Sequence, residues 1–315
     1  GRLNLDSYAT LKQGGESGPA FVAGVPGESL LCSVVVDGSM PQDAAPLTPE
    51  QITLLQRWVE FGGRLDAGVE ATARLIQMMP RRPETTPPEH YPAPLPLTTV
   101  AFSPDGQLLA TSGYHEVLLW NVADGTLLRR LRNIAESVYG LSFHPDGQRL
   151  AVAAGTPGET GDFKVFRVAD GELLADLVRM DDAVLGVAFS PDGSKLACSA
   201  ADRSIRLFDA STYQPLVSVE DHADWVVSIA WSADGAKLAS ASRDKTSKIF
   251  NAATGDALGT FNGHGEIVYD VAFSADGKQA LTCGADKVVR VWNIEDSKEV
   301  RKLEGATGEL LVSIR

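Results

Sequence analysis

Residues 185–220 read LGVAFSPDGSKLACSAADRSIRLFDASTYQPLVSVE, and this stretch decides the fold. Apolar residues alternate up to Phe189, and the turn SPDGSK follows. A second apolar run ends at a turn at Asp202, a third ends at Phe208, and PLVSV follows after another turn. Period-two alternation broken by turn residues predicts four short strands that form one antiparallel sheet.

The same unit recurs along the chain. Asp-Gly turns between apolar runs lie at 105–106, 146–147, 192–193, 234–235 and 276–277, which are 41, 46, 42 and 42 residues apart. An aromatic residue closes the third predicted strand each time, at Trp120, Phe166, Phe208, Phe250 and Trp292. A fixed period of this length marks a repeat architecture, because one such unit cannot bury its apolar face alone.

Composition and charge limit the kinds of partner that we expect this protein to bind. The chain has 315 residues, 44% of them hydrophobic, and a net charge of −13. Residues 1–96 carry 7 basic and 11 acidic side chains, and residues 97–315 carry 21 and 30. Neither part offers the basic face that phosphate backbones require, so nucleic acid and anionic membranes are poor partners. No apolar run of about 18 residues predicts a membrane span.

The sequence carries no catalytic signature. We find no G-x-S-x-G elbow, Walker loop or H-E-x-x-H pair. We therefore expect a protein that is not an enzyme and that holds no metal. A ring of small repeated sheets is typical of a binding platform.

Seven prolines between residues 78 and 96 mark a change in organisation. Proline lacks the amide proton and fixes φ, so neither a helix nor a central strand persists there. We expect a domain at 1–70, an extended linker at 71–96 and the repeats at 97–315.

The phrases FSPDG, LA, LFD and TG, repeated over residues 97–315, resemble those of the WD-repeat family of β-propellers. The resemblance implies a mainly β fold with blades at about 97–137, 138–183, 184–225, 226–267 and 268–309. Residues 305–315 read like the opening strand of a sixth repeat, so we expect a chain cut short at its C-terminus. A five-bladed ring with a short tail is the alternative.

In that family a His, a Ser or Thr, a turn Asp and a Trp form a structural hydrogen-bonded network in each blade. Repeat four matches with Phe250 in place of the Trp, and repeat five matches with Gly284 at the position expected for the Ser. The network residues that the resemblance predicts are His222, Ser242, Asp244, His264, Asp286 and Trp292.

The first 70 residues follow a helical pattern. Thr48 to Gln51 form a capping box with Pro at the first helical position, and Gly62-Gly63 ends the helix. The run ESLLCSVVV before it is either a short helix or a strand. A region this small often needs a cofactor or partner for stability.

Residues 1–63, with the phrase LKQGGESGPA, resemble the planctomycete-type cytochrome c domain. In that family haem is attached through C-x-x-C-H, and the Met of a Met-Pro pair, here Met40, is the expected axial ligand. Thioether ligation of this kind raises a haem's potential. The chain contains no C-x-x-C-H, so we expect no cofactor in it as given. We expect haem c in a longer parent protein.

Two functions follow. The first is a non-catalytic interaction scaffold that docks a protein or peptide on a propeller face. The second is electron transfer by a longer haem protein, in which the propeller positions the cytochrome domain or docks a redox partner. The cytochrome resemblance also implies a periplasmic or otherwise exported protein.

Overall fold

The computed structural model describes residues 7–16, 18–40, 46–65, 70–72, 86–91 and 96–306. The chain divides into two compact units, Gly1–Arg81 and Arg82–Arg315. The boundary lies inside the Pro-rich stretch. Residues 307–315, which carry most of the predicted opening strand of a sixth repeat, lie outside the described residues.

The first unit is a small helical assembly. Its elements are α1 (Tyr8–Gln13), a 3-10 turn (Pro26–Glu28), α2 (Leu30–Val36) and α3 (Pro49–Glu60). The capping box predicted for α3 is confirmed, since the Thr48 and Gln51 side chains each accept a backbone N–H of the other residue. The run that the sequence left open forms the helix α2.

Aromatic packing closes this first unit. Phe21 lies 5.0 Å from Trp58 between ring centroids, and the buried core also contains Leu11, Cys32 and Val59. Gly63 follows α3 with φ 57°, and a Cβ there would lie 2.3 Å from the Phe21 ring. Glycine at this position therefore permits both the left-handed turn and the close approach of the ring.

The second unit consists of five four-stranded antiparallel sheets, each in sequential strand order. Sheet 1 contains β1 (Val100–Phe102), β2 (Leu108–Ser112), β3 (Val117–Asn121) and β4 (Leu127–Leu131). Sheet 2 contains β5 (Ser137–Phe143), β6 (Arg149–Thr156), β7 (Thr160–Arg167) and β8 (Leu173–Met180). Sheet 3 contains β9 (Val184–Phe189), β10 (Lys195–Ala200), β11 (Ile205–Asp209) and β12 (Pro215–Val219). Sheet 4 contains β13 (Val226–Trp231), β14 (Lys237–Ser242), β15 (Ser247–Asn251) and β16 (Ala257–Phe261). Sheet 5 contains β17 (Val268–Phe273), β18 (Gln279–Gly284), β19 (Val289–Asn293) and β20 (Glu299–Leu303).

The Asp-Gly turns join the first and second strands of every sheet. In sheet 3, Ser190 Oγ donates to Asp192 Oδ1 at 2.6 Å, and the same carboxylate oxygen accepts the Ser194 N–H. These bonds hold the pKa of Asp192 down, at about 2. Gly193 then takes φ 71°, a left-handed conformation that glycine adopts without strain. The turn thus reverses the chain with its polar groups satisfied locally.

Sheet 2 departs from the other four sheets. Its turn lies 46 residues before the next one, and the extra residues lengthen β6 and β7 to eight residues each. The pairing runs to Thr156 opposite Thr160. His144 also replaces the turn serine, and its Nδ1 accepts the Asp146 N–H.

Neighbouring sheets pack face to face. Between sheets 2 and 3, Phe189, Leu196 and Phe208 lie in one buried cluster with Ala151 and Val165. Phe163 also lies on this face of sheet 2 and contacts Phe208, so large and small residues meet in the cluster. Small residues on one side let the larger side chains of the next sheet approach closely, as dense packing requires.

The corresponding face of sheet 1 is open among the described residues. Phe102 is 61% exposed, whereas its equivalents Phe143 and Phe189 are 8% and 7% exposed. Leu97, Phe102, Leu109 and Trp120 line a shallow apolar depression of about 380 Å³ on this face. No described sheet packs on it.

Part of the predicted linker is held on sheet 1. Arg130 donates to the carbonyls of Pro88 and Glu89, at 3.0 and 3.3 Å. The Tyr91 hydroxyl and Arg130 both bond to Glu116 Oε1, at 2.5 and 2.6 Å. Burial and the Glu116 carboxylate together raise the pKa of Tyr91 to about 12. Residues 86–91 are therefore attached to the second unit and are not a free spacer.

These packing differences predict unequal effects of two matched substitutions. Phe189→Ala should lower the free energy of unfolding by about 3 kcal/mol, because it opens a cavity between sheets. Phe102→Ala should cost about 1 kcal/mol or less, because the ring is largely in water already. Urea unfolding followed by tryptophan fluorescence measures both values. Equal losses of unfolding free energy would contradict the difference in burial between Phe189 and Phe102.

Candidate functional site

A polar cluster ties the loop before sheet 5 to the sheet itself. His264 Nε2 lies 2.7 Å from Thr282 Oγ1, and Trp292 Nε1 donates to the same hydroxyl at 2.8 Å. On the other side of the ring, His264 Nδ1 lies 3.0 Å from Asp286. The cluster connects the entry loop, the second strand, the following turn and the third strand.

Sheet 4 repeats this arrangement with one member fewer. His222 Nδ1 lies 2.8 Å from Asp244 Oδ2, and His222 Nε2 lies 2.6 Å from Ser240 Oγ. Phe250 takes the place of the tryptophan and packs edge-on against the imidazole at 6.3 Å. The pKa of Asp244 lies well below its usual range, because bonds from His222, Thr246 and Ala223 outweigh the opposing effect of burial.

In both repeats the hydroxyl that contacts the histidine comes from a different residue than the sequence predicts. Ser242 is not the partner of His222; its hydroxyl donates to the Asp224 carbonyl and accepts the Asp244 N–H. In sheet 5 the hydroxyl comes from Thr282, so no hydroxyl is missing at Gly284. A Cβ at Gly284 would lie 2.4 Å from the Ile267 carbonyl oxygen. Residues two apart on a strand share a face. In both sheets the hydroxyl that contacts the histidine belongs to the residue two positions before the predicted one, on the same face of the sheet.

Sheet 1 repeats the Trp–Thr bond of sheet 5, and sheet 2 uses other residues in this region. In sheet 1, Trp120 Nε1 donates to Thr111 at 3.0 Å. In sheet 2 the buried Lys164 donates to Asp162 at 2.7 Å and to the Asn133 carbonyl at 2.6 Å. Asp162 also accepts the Ala135 N–H at 3.1 Å. Sequence reasoning missed this pair, although Lys and Asp two apart in an otherwise apolar strand would have been a signal.

These clusters are structural. Their histidines are buried, and their ring nitrogens are occupied by partners within the protein. Buried groups satisfied in this way fix loops and specify one arrangement of the sheet. The ring nitrogens of His222 and His264 are therefore not free to bind a substrate.

The predicted haem ligand lies on the surface of the first unit. Met40 follows α2, is 42% exposed, and donates its N–H to the Val34 carbonyl. Its neighbour Pro41 lies outside the described residues. All five histidines of the sequence come after residue 81 in the chain, and no C-x-x-C-H occurs. The residues of this chain therefore do not fit covalently attached haem.

A cavity of about 360 Å³ lies where the first strands of sheets 2 to 5 meet Thr98 and Thr99, the two residues before β1. Four of these strands carry a β-bulge or register shift opposite the second strand, at this level of the sheet. Bulges bend a strand and re-aim its side chains, and they are frequent beside functional sites. The single charged side chain among the residues that line the cavity is that of Asp270.

Comparison with known families agrees with this architecture. The family described as WD domain, G-beta repeat matches residues 82–121, 171–209, 213–251 and 255–293. The chain carries WD40 repeats. Together with the five four-stranded sheets, these matches support a WD-repeat β-propeller.

A curated relative shares one short stretch. The chain is 38% identical over 52 residues to the intraflagellar transport protein 122 homolog of Danio rerio. The match covers 16% of this chain and 4% of that protein. The chain thus spans a small part of this relative's length.

The WD40 repeat is offset from the sheet by one strand. The match at 213–251 includes β12, the last strand of sheet 3, and β13 to β15 of sheet 4. One sequence repeat therefore contributes to two neighbouring sheets. The His–Asp clusters lie within single repeats, and they bind the loop between the two sheets to the second one.

The WD40 cluster of sheet 5 predicts a graded response to hydroxyl removal. Thr282→Val should lower the free energy of unfolding by about 2 kcal/mol, because His264 and Trp292 both lose a buried partner. Ser240→Ala in sheet 4 should cost about 1 kcal/mol, since His222 is the one side chain that loses a partner there, besides the long bond of Ser240 to the Lys248 carbonyl at 3.4 Å. Urea unfolding of the two variants measures the difference. A smaller loss for Thr282→Val would contradict the assigned bonds.

The same cluster predicts a pH dependence of stability. Burial lowers the pKa of His264 below its ordinary value of 6.5 more than Asp286 raises it. As pH falls through that value, the unfolded chain binds a proton that the folded chain does not. Stability should therefore be greater at about pH 7.5 than at about pH 5.5.

Urea unfolding at the two pH values measures the loss. His264→Gln should reduce it, whereas His90→Gln, at an exposed position, should leave it unchanged. An equal pH dependence in wild type and His264→Gln would refute the assignment.

Proposed function

We propose that this chain is a non-catalytic interaction scaffold whose WD40 propeller docks a protein partner on one rim. The observation that carries the proposal is the stack of five WD40-type sheets whose described buried histidines serve the fold. Because those histidines already have partners within the protein, we assign recognition to the loops and to the cavity where the first strands meet. Repeat platforms of this kind bind through such surfaces.

The strand order defines two rims. In each sequential sheet the turn between the second and third strands lies on the same side as the connection to the next sheet. We call this side the entry rim. The other rim carries the Asp-Gly turns and the turns between third and fourth strands. The two rims differ in the chemistry that they expose.

The entry rim carries features suited to recognition. Arg203, Lys245 and Lys287 occupy the same turn position in sheets 3, 4 and 5, are exposed, and have φ of 73°, 73° and 65°. Non-glycine residues with positive φ are uncommon and often mark functional positions. Nearby, the Arg243 guanidinium lies 4.6 Å from the centroid of the Trp225 ring. Trp and Arg are the side chains most enriched at binding hot spots.

The charge of the chain defines the class of partner. A net charge of −13 steers basic proteins towards it and repels nucleic acid. No helix within the described residues is long and apolar enough to cross a bilayer. From the net charge we propose a protein or peptide partner rather than a nucleic acid.

The proposal predicts that capture of a partner depends on the entry rim. The intact chain, immobilised and exposed to soluble extract of its host, should retain a defined partner. A double variant, Trp225→Ala with Arg243→Ala, should retain about tenfold less of it, as loss of a hot spot implies. Quantitative mass spectrometry of the retained proteins measures this.

The control is Glu295→Ala on the opposite rim, which should retain the partner as wild type does. Circular dichroism verifies that the variants are folded. Failure of the folded wild-type chain to retain any protein above background would refute the scaffold proposal. Equal retention by the rim variant would refute the choice of rim.

Electron transfer stays a prediction about a longer polypeptide. It rests on the resemblance of residues 1–63 to a cytochrome domain, and this chain contributes only Met40 towards a haem site. Export to the periplasm depends on the same resemblance and is a prediction of the same kind.

A further inference from the structure

The open apolar face of sheet 1 matches a face that the other sheets cover. Strand register pairs Phe102 with Leu109 and Leu109 with Trp120, so these three residues lie on one face. Val100, two residues before Phe102, lies on the same face and is 48% exposed. Its equivalents in the other four sheets are each at most 8% exposed, and they are Leu141, Val187, Ile229 and Val271. Sheet 1 therefore presents the same kind of face as its neighbours, and no described sheet packs on it.

Sheet 5 has an open face on the side that points away from sheet 4. Val291 pairs with Leu281 and with Arg301, which places the three residues on one face. Leu303 lies on this face too, and the cluster shared with sheet 4 uses the other one. Leu303 ends the fourth strand and is 49% exposed. The residues that end the fourth strands of sheets 1, 3 and 4 are 1%, 8% and 0% exposed, and they are Leu131, Val219 and Phe261.

The contact between sheets 1 and 2 shows how two such faces meet at the fourth strand. Arg129 of sheet 1 donates to the carbonyls of Ala169 and Asp170 at 2.5 and 2.8 Å. These carbonyls belong to the turn between the third and fourth strands of sheet 2. A Cβ on Gly171 in this turn would lie 2.9 Å from Arg129 and 3.0 Å from Leu131. Glycine therefore lets side chains of sheet 1 pack directly on the turn.

The turn of this contact recurs on sheet 1. Residues 122–125 read VADG, as residues 168–171 of sheet 2 do, whereas the corresponding turns of sheets 3, 4 and 5 read ASTY, AATG and IEDS. Gly125 has the left-handed conformation of Gly171, with φ of 71° and 79° respectively. A Cβ on Gly125 would meet no described atom within 4 Å. The space that side chains of sheet 1 fill beside Gly171 is therefore open beside Gly125.

The arginine of the contact recurs on sheet 5. By strand register, Arg301 and Leu303 hold the positions that Arg129 and Leu131 hold in sheet 1. The residues at the position of Arg129 in sheets 2, 3 and 4 are Ala175, Val217 and Gly259. Arg301 is exposed. Sheet 5 thus offers the side chains, and sheet 1 the turn, of a contact that sheets 1 and 2 already form.

We infer that two copies of this chain associate head to tail, with the open face of sheet 5 in one copy packed on the open face of sheet 1 in the other. Arg301 of one copy donates to the carbonyls of Ala123 and Asp124 in the other, and Leu303 packs on Gly125. A second copy is assigned because no buried cluster of described residues joins sheets 1 and 5 within one chain. The contact repeats the packing that joins neighbouring sheets inside the chain.

A contact of this kind joins two different surfaces. Each copy therefore keeps one open face after it has bound another copy, unless the assembly closes on itself. Arginine suits the proposed bonds, because its planar fork can donate to two carbonyl oxygens at once, as Arg129 does. The association uses sheet faces and no residue of the entry rim, so it goes beyond the proposed docking of a partner.

The first test is the mass of the full chain in solution. Sedimentation velocity is measured at physiological ionic strength, because each copy carries a net charge of −13 and salt screens their repulsion. Chain concentrations run from about 1 to about 100 µM, a range that covers micromolar dissociation constants. The mass should rise with concentration from the 33.5 kDa of one chain to at least twice that value.

Two variants then identify the faces. Phe102→Glu places a charge on the open face of sheet 1, and Leu303→Glu places one on the open face of sheet 5. Each variant alone should stay a single chain. An equimolar mixture should form a species of two chains, because each variant supplies the face that the other has lost. Matched controls are Phe61→Glu and Leu258→Glu, at positions that are 77% and 48% exposed outside these faces, and both should associate as wild type does.

A third variant tests the arginine. Arg301→Gln should weaken association about tenfold, because the charged fork that binds the turn is lost. Lys302→Gln makes the same change of charge at the next residue, which lies on the other face of the strand, and should leave association unchanged. Circular dichroism verifies that all variants are folded. The mixture also tests folding, since only folded variants can restore association.

Several results would overturn the inference. A wild-type chain that stays at 33.5 kDa over the whole range would do so. Loss of association in Phe102→Glu but not in Leu303→Glu would indicate that like faces meet. A mixture of the two that stays as single chains, controls that fail to associate, or equal association of Arg301→Gln and Lys302→Gln would each refute the assigned contact. Docking of a partner at the entry rim uses other residues and does not depend on these outcomes.

Discussion

Face-to-face packing of neighbouring sheets is the constraint on which the second unit depends. A four-stranded sheet has two faces, and one alone cannot bury either of them. In this chain the clusters between sheets combine large and small residues, as where Phe208 of sheet 3 packs against Phe163 of sheet 2 beside Ala151 and Ala153. Two sheets build each cluster together, so no sheet buries such a face without a neighbour.

Polar clusters at the edge of these contacts fix the loops between sheets. Sheet 5 uses His264, Thr282, Asp286 and Trp292, whereas sheet 2 uses the buried pair of Lys164 and Asp162. The chemistry differs, yet in both cases a buried side chain holds the entry loop against the sheet. A satisfied buried network specifies one geometry where apolar packing alone would allow several.

The same architecture determines what remains for function. Strands that pack on both faces are unavailable to a partner, so recognition is confined to the rims and to the place where the first strands converge. Four of these strands carry a bulge or register shift at that place, and the small, neutral residues Thr99, Gly140, Gly186 and Ser228 line the cavity there. Among the residues that line the cavity, Asp270 has the one charged side chain.

The sequence by itself determined the repeat, the four strands of each unit, the Asp-Gly turns and the helix that begins at Pro49. These features depend on local periodicity and turn chemistry, which can be read along the chain. Only the tertiary structure decided that Ser240 and Thr282, rather than Ser242, contact the histidines, because strand register settles which of two residues on one face lies opposite a loop. It also decided that Phe102 is exposed while Phe189 is buried, and that Asp270 lies in a cavity. Burial and convergence depend on which sheets become neighbours in space, and the local pattern of a single repeat does not contain that information.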